Sequence, residues 1–189
     1  MTDPALTHVK LAMPDIRLHG PVDEFMFQSC IVQFDGLIER PDPVVVQLTT
    51  LGGAADTGRR LSREIRLRCE SLGRRVVLVG MTNVYSAGMT IMSGFLRENR
   101  FLSSDCSLLI HERQMDGAVQ FSGPLSAVRL VALGKLKEIE EGIALQNEGF
   151  RTLAEGSKIG FEEMCMLARE STYMTAQQAF DRGLVSGLI

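Results

Sequence analysis

Hydrophobic and polar positions follow two alternating patterns along the first 111 residues. Short β-branched or apolar runs, which are typical of strands, stand at 15–20, 44–50, 74–80 and 106–111. Segments with apolar residues at helical spacing separate them, at 22–40, 57–73 and 86–99. Strands and helices that alternate in this way predict an α/β fold with a mainly parallel sheet and right-handed crossovers.

The rest of the chain has a mainly helical pattern. A segment at 124–153 carries apolar residues at helical spacing, and its length of roughly 45 Å exceeds the width expected of such a domain. We therefore expect this helix to project into a neighbouring subunit. Shorter helices are predicted at 160–170 and 175–183, the second with Thr175 and Gln178 at capping-box spacing.

Capping and helix-breaking residues indicate where some of these elements are expected to begin and end. Asp56 is predicted to cap the helix at 57–73, and Gly73 to end it. The Pro-Asp-Pro segment at 41–43 is predicted to stop the first helix. Residues 1–13 carry neither pattern and are expected to form a flexible leader to one domain spanning 1–189.

Composition narrows the classes of partner. The chain has 20 Lys plus Arg against 23 Asp plus Glu without long runs of either sign, so neither nucleic acid nor a membrane surface is an expected partner. The four cysteines are far apart in sequence and no histidine stands at metal-ligand spacing, so we expect reduced thiols, no metal and no cofactor. Without a signal-peptide pattern, the expected location is cytoplasmic.

Three chemically suggestive positions follow the predicted parallel strands. Gly52 and Gly53 come after the strand at 44–50, Ser86 follows the strand at 74–80, and His111 ends the strand at 106–111. Functional groups of parallel sheets gather beyond the carboxyl ends of the strands. We therefore expect these residues to meet at one edge of the sheet.

These residue types suit acyl transfer. A serine hydroxyl needs an adjacent base, which His111 can supply to Ser86. The Ala87 amide, in the first turn of a helix, and the Gly53 amide can both donate to a developing oxyanion. Each feature alone has an ordinary structural interpretation: Ser86 as an N-cap, the glycine pair as a turn and His111 as a structural histidine. Val84 also departs from the G-x-S-x-G pattern.

Four segments, taken in order, resemble the proteolytic subunits of the Clp protease family. They are "IRLHGPVDE", "VVVQLTTLGGAADTG", "VYSAGMTIMSGFLRENRFLSSDCSLLIHE" and "YMTAQQAFDRGLVSGLI". The 25-residue offset from Ser86 to His111 is also that of the family. The likeness covers the chain from about residue 15 to 189.

The resemblance implies a crotonase-like ββα superhelix with a long projecting helix. It implies an ATP-dependent Clp-type serine endopeptidase subunit with Ser86 as nucleophile, His111 as base, and the Gly53 and Ala87 amides as oxyanion hole. It further implies a homo-oligomeric ring, a peptide or unfolded-protein substrate and a separate AAA+ unfoldase. The chain itself has no G-x-x-x-x-G-K-[ST] motif for such a motor.

The sequence departs from the family at the third triad position, where Ser171 replaces the aspartate. Glu170 is one residue away, which on an extended segment points its side chain to the opposite face, and Asp181 is expected to face solvent. Leu51, Tyr85 and a longer segment before the long helix also differ from the family. Two alternatives therefore stay open: a catalytically impaired scaffold or regulatory subunit, and an acyl-CoA enzyme of the same fold.

Overall fold

The computed structural model describes residues 11–37 and 43–189. Most of the predicted leader and the predicted stop at 41–42 lie outside these ranges. Within the described residues, Leu11 is buried at 3% exposure, and the first helix ends earlier than expected, at Asp35.

Helices and strands alternate through the first part of the chain, as predicted. The strands are β1 (Ile16–His19), β2 (Val44–Thr50), β3 (Val76–Tyr85), β4 (Arg100–Leu102), β5 (Ser107–Ile110), β6 (Thr172–Thr175) and β7 (Gly187–Leu188). The helices are α1 (Glu24–Asp35), α2 (Ala55–Ser71), α3 (Ala87–Ser93), α4 (Leu125–Ala154), α5 (Phe161–Arg169) and α6 (Ala176–Asp181). The short strands β4, β6 and β7 were not expected, since their apolar runs are too brief to stand out.

The sheet branches at β3. Strands run in the order β1-β2-β3-β4-β7, all parallel, with β4 paired to Leu78–Gly80 of β3. Beyond that point Asn83–Tyr85 of β3 pairs with β5, and β6 joins β5 in antiparallel orientation. Thr82 has φ 54° at the branch, beside a register shift between β2 and β3. The end of β3 is thereby directed away from β4, towards β5.

Strand β2 is covered on both faces. Val44, Val46 and Leu48 belong to the main core, whereas Val45 packs into a second, smaller core with Leu11. Side chains of a strand alternate between faces, so a run without polar residues requires cover on both sides. The predicted buried parallel strand at 44–50 is confirmed.

Arg100 attaches the C-terminal end of α4 to the rest of the fold. Its side chain is 1% exposed and donates to the carbonyl oxygens of Phe95, Thr152, Leu153 and Leu184 at 2.8 to 3.4 Å. Burial lowers the pKa of this guanidinium to about 10, which leaves it charged near neutral pH. One buried cation therefore joins β4, α4 and the C-terminal segment.

Most of α4 lies on the surface, as the prediction of a projecting helix required. Among its residues only Leu153 is buried, while Leu125 is 87% exposed and Leu136, Ile139 and Ile143 are each at least 41% exposed. Within the described ranges, no helix is both long and apolar enough to cross a membrane.

The predicted start of α2 and the predicted end of α3 are wrong. Asp56 does not cap α2. Ala54 holds the N-cap position: its backbone is extended, its N–H donates to Val22 O at 2.8 Å, and its carbonyl accepts from Gly58 N at 3.0 Å, so the helix begins at Ala55. The helix expected at 86–99 ends at Ser93, with Gly94 as its C-cap, and is followed by a 3₁₀ turn at Arg97–Asn99. Tertiary contacts, which local patterns do not contain, set both boundaries.

Candidate active site

Ser86 stands at a sharp turn where β3 passes directly into α3. Its N–H donates to Leu109 O at 3.1 Å and so continues the pairing of β3 with β5. Its carbonyl accepts from Met89 N at 2.9 Å in the first turn of α3. These two roles hold Ser86 at φ 55° and ψ −114°, a conformation that non-glycine residues rarely adopt. Strain of this kind is concentrated at functional sites.

The Ser86 hydroxyl does not cap the helix, although the residue holds the N-cap position. An ordinary serine N-cap has extended backbone angles and accepts from an amide of the first turn. Here the positive φ turns the side chain away from those amides. The hydroxyl is thus available for another task, and the G-x-S-x-G turns of α/β-hydrolases use a similar strained strand-to-helix geometry.

Two glycines allow the backbone to approach Ser86 closely. A Cβ on Gly52, which has φ 117°, would lie 2.7 Å from Ser86 Cβ, so only glycine fits there. Gly53 forms a parallel bridge with Val22, in which Val22 N donates to Gly52 O and Ala54 N donates to Val22 O. In such a bridge the N–H of the central residue points to the other side of the strand. The Gly53 amide therefore faces away from Val22, on the side of β3 and Ser86.

His111 follows directly after β5, and its ring is oriented by a backbone carbonyl. Nδ1 lies 2.5 Å from Glu112 O. A carbonyl oxygen can only accept, so Nδ1 carries a hydrogen, and in the neutral imidazole Nε2 then keeps a lone pair. Gln114 Nε2 donates to the same carbonyl at 3.1 Å, and Arg113 N donates to Gln146 Oε1 on α4 at 2.7 Å. These contacts hold the segment after β5 in place.

The residues expected to form the site line one cavity. It has a volume of about 450 Å³ and is lined by Gly53, Ser86, Ala87 and His111 together with residues of α2, α3 and α4. Within the described residues no hydrogen bond joins the Ser86 hydroxyl to the His111 ring. Catalytic hydrogen bonds are often long in the absence of substrate, so the shared cavity wall is the relevant observation.

Ser171 lies near this site but does not bond to it. In the β5–β6 ladder Ile110 faces Thr172, so the same register places Ser171 opposite His111. Ser171 is exposed, with φ 51°, and in the described part of the chain its side chain makes no hydrogen bond to the histidine. Glu170 and Asp181 are exposed as well. The position expected to hold the third triad residue therefore carries no carboxylate.

Other nucleophiles and metal ligands are not assembled in the described ranges. Burial raises the pKa of the Cys30 and Cys106 thiols to about 12, so neither is a thiolate near neutral pH. All four cysteines lie within the described residues and none forms a disulfide. No group of three or more His, Cys, Asp or Glu side chains there is arranged to hold a metal ion.

The Glu112 carbonyl is the group that sequence reasoning missed. Every residue has a carbonyl, so no residue type marks one that orients a histidine. The same holds for the Arg113 and Gln146 contact, which depends on how α4 passes over the site. Only the spatial arrangement identifies these groups.

The branched, mostly parallel sheet, the helices that cover it and the long projecting helix define an α/β protein with the crotonase-like fold. No protein-family model matches the chain. A relative is the ATP-dependent Clp protease proteolytic subunit 2 of Pseudomonas aeruginosa, which is 24% identical over 185 residues, or 97% of this chain and 85% of that protein. Over nearly its whole length the chain is therefore similar, at a low level of identity, to a Clp protease proteolytic subunit.

Proposed function

We propose that the chain is a serine endopeptidase subunit that cleaves short or unfolded peptides through an acyl-enzyme at Ser86. The observation that carries the proposal is the uncapped, strained Ser86 in one cavity with a histidine whose Nε2 is left as an acceptor. The relative named above, a Clp protease proteolytic subunit, supports this assignment.

In the proposed reaction Ser86 Oγ attacks the peptide carbonyl carbon while His111 Nε2 takes the hydroxyl proton. The amides of Gly53 and Ala87 donate to the oxyanion of the tetrahedral intermediate. The imidazolium then returns the proton to the leaving amine, and the C–N bond breaks to give the Ser86 ester. Water, deprotonated by the same ring, releases the acid product and restores the hydroxyl.

The Glu112 carbonyl takes the orienting role of the missing aspartate. It selects the Nδ1–H tautomer, as the aspartate of a triad does. A carbonyl dipole stabilises the imidazolium less than a full negative charge. We therefore propose an enzyme with the correct geometry for a base and a lower turnover than a complete triad would give.

The proposed assembly is a homo-oligomeric ring in the cytoplasm, served by a separate AAA+ unfoldase. The exposed apolar residues of α4 support the first part, because such a surface on a projecting helix marks a protein interface. Family resemblance supports the second part.

The first prediction is that a fluorophosphonate probe labels the native protein at Ser86. The probe reacts with activated serine hydroxyls, so Ser86→Ala should abolish labelling and His111→Ala should reduce its rate at least about a hundredfold. Intact-protein and peptide mass spectrometry measure both results.

Ser93 offers a matched control, since it lies on α3 and lines the same cavity without the strained turn. Ser93→Ala should leave labelling intact. A folded native protein that stays unlabelled, or labelling that survives Ser86→Ala, would overturn the assignment.

A second candidate function is a scaffold or regulatory subunit that pairs with an active homologue. The replacement of the aspartate by Ser171 and the absence of any carboxylate on His111 Nδ1, within the described residues, favour it. A homogeneous preparation that hydrolyses unstructured casein, with loss of hydrolysis in Ser86→Ala, rules out this candidate. Inactive rings that gain activity only with a second subunit type support it.

A further inference from the structure

The cavity continues well beyond Ser86 and His111. It is lined along α3 from Ser86 to Gly94, a distance of roughly 12 Å at about 1.5 Å per residue. An added Cβ at Gly58 would lie 3.0 Å from Ala87 O, and one at Gly94 would lie 2.4 Å from Ser62 Oγ. The helices α2 and α3 therefore run side by side in the same direction, with the cavity along them.

Arginines on α2 line this extension at successive turns. Arg59 is nearest the start of the helix, Arg63 follows after four residues and Arg66 after three more. Residues three and four apart share a helix face, so these side chains form one basic wall. Arg113, from the segment after β5, contributes a fourth guanidinium near His111.

Three carboxylates also line the cavity, but each has an arginine partner. Asp56 pairs with Arg113 at 2.9 Å, and Glu148 of α4 pairs with Arg59 at 3.0 Å. The Glu112 carboxylate lies 3.9 Å from Arg169 Nε. These pairs neutralise the part of the wall nearest the reacting groups.

The far part of the wall keeps its positive charge. Arg63 has no ion pair or side-chain hydrogen bond within the described residues. Arg66 has only Glu70, at 3.5 Å on the same helix, and that carboxylate does not line the cavity. The same cavity is also lined by the apolar residues Met89, Phe150 and Leu153. An aliphatic stem that ends in a carboxylate matches this combination.

We propose that this cavity binds an acidic side chain of the substrate, so that the enzyme cleaves peptides after glutamate, with Arg63 as the specificity-determining residue. The inference rests on the proposed function, because the cavity opens at Ser86 and receives the residue whose carbonyl the serine attacks. Glutamate fits better than aspartate, since the free guanidinium groups stand at the distant end. Arg66 assists as the second cation.

The test compares two peptides that differ only at the residue before the cleaved bond, which is Glu in one and Gln in the other. The two side chains have nearly the same shape, but only Glu is charged. Fluorescence anisotropy measures their binding to Ser86→Ala protein, and the same pair as fluorogenic substrates measures cleavage by the native protein. The Glu peptide should bind about tenfold more tightly at low salt, and added salt should reduce the difference, because the arginines are exposed.

Arg63→Gln should lower the Glu-to-Gln ratio to about one, in binding and in kcat/KM. Arg60→Gln is the matched control: Arg60 lies on the same helix, pairs with Glu24 on α1 and does not line the cavity. It should keep the native ratio.

The outcomes separate this inference from the proposed function. Cleavage with equal kcat/KM for both peptides, equal binding, no binding of either peptide, or an unchanged ratio in Arg63→Gln overturns the inference. Preferential binding of the Glu peptide without cleavage supports the inference while the proposed peptidase fails.

Discussion

At the scale of single residues, Ser86 shows how position within the fold changes the role of a side chain. The last bond of the β3–β5 ladder and the first turn of α3 both use its backbone, and the strained angles that result cost about 1 to 3 kcal/mol. Gly52 provides the space for its side chain. A serine in this position holds its hydroxyl out from the helix end, where a ligand can reach it.

We predict that Ser171→Asp raises peptidase activity. The register places residue 171 opposite His111, and aspartate tolerates the positive φ observed there. A carboxylate at this position would stabilise the imidazolium that forms during the reaction, so kcat/KM for an unstructured peptide should rise at least about tenfold. Steady-state kinetics measure the change.

Ser171→Asn is the matched control, because it has the same shape and backbone tolerance without the charge. It should leave kcat/KM within about twofold of the native value. An equal gain in both variants, or none in Ser171→Asp, would show that residue 171 does not act on the histidine.

At the scale of elements, a buried arginine fastens the C-terminal end of α4 to the rest of the fold. Arg100 donates to four carbonyl oxygens on three segments, whereas most of the helix has no cover in the chain. Four buried acceptors would lose their donor if this residue changed, and each unsatisfied group costs about 1 to 3 kcal/mol.

Arg100→Met should therefore lower the free energy of unfolding by about 3 kcal/mol or more. Urea denaturation followed by circular dichroism measures it. Arg129→Met, at an exposed site on α4, should change it by less than about 0.5 kcal/mol. If the two variants have similar stabilities, the carbonyl contacts of Arg100 do not carry the attachment.

At the scale of the whole molecule, the sheet and the long helix differ in how far the described chain covers their apolar side chains. The central strands β2 and β3 are buried on both faces within one chain. The apolar residues of α4, in contrast, are largely exposed. Burying such side chains stabilises a contact by about 25 cal/mol for each Å² of apolar surface removed from water.

We predict that the native protein is an oligomer and that Leu136→Glu combined with Ile139→Glu shifts it to smaller species. Charges buried in the contact would cost more than the lost apolar contact alone. Sedimentation velocity at several concentrations measures the distribution. Lys137→Glu combined with Glu140→Lys, on the same turns of α4, is the control and should keep the native assembly. A native monomer at tens of micromolar would contradict the prediction.

The elements with strong periodicity were predicted well. The strand at 44–50, the helix at 124–153, whose observed bounds differ by one residue, and the capping box of Thr175 and Gln178 all follow from local patterns. Elements with weak or brief patterns were predicted poorly: the helix expected at 86–99 ends at Ser93, and the short strands β4, β6 and β7 were not expected. Neighbouring segments decide such short elements.

For the site, chain order and residue type were enough to indicate that Gly53, Ser86, Ala87 and His111 meet, because parallel strands bring their ends to one edge. Three features came only from the folded chain: the strained, uncapped conformation of Ser86, the Glu112 carbonyl on His111, and the arginine wall, whose far end has no carboxylate partner that lines the cavity. Each depends on distances between segments remote in sequence, and local patterns carry no information about those distances.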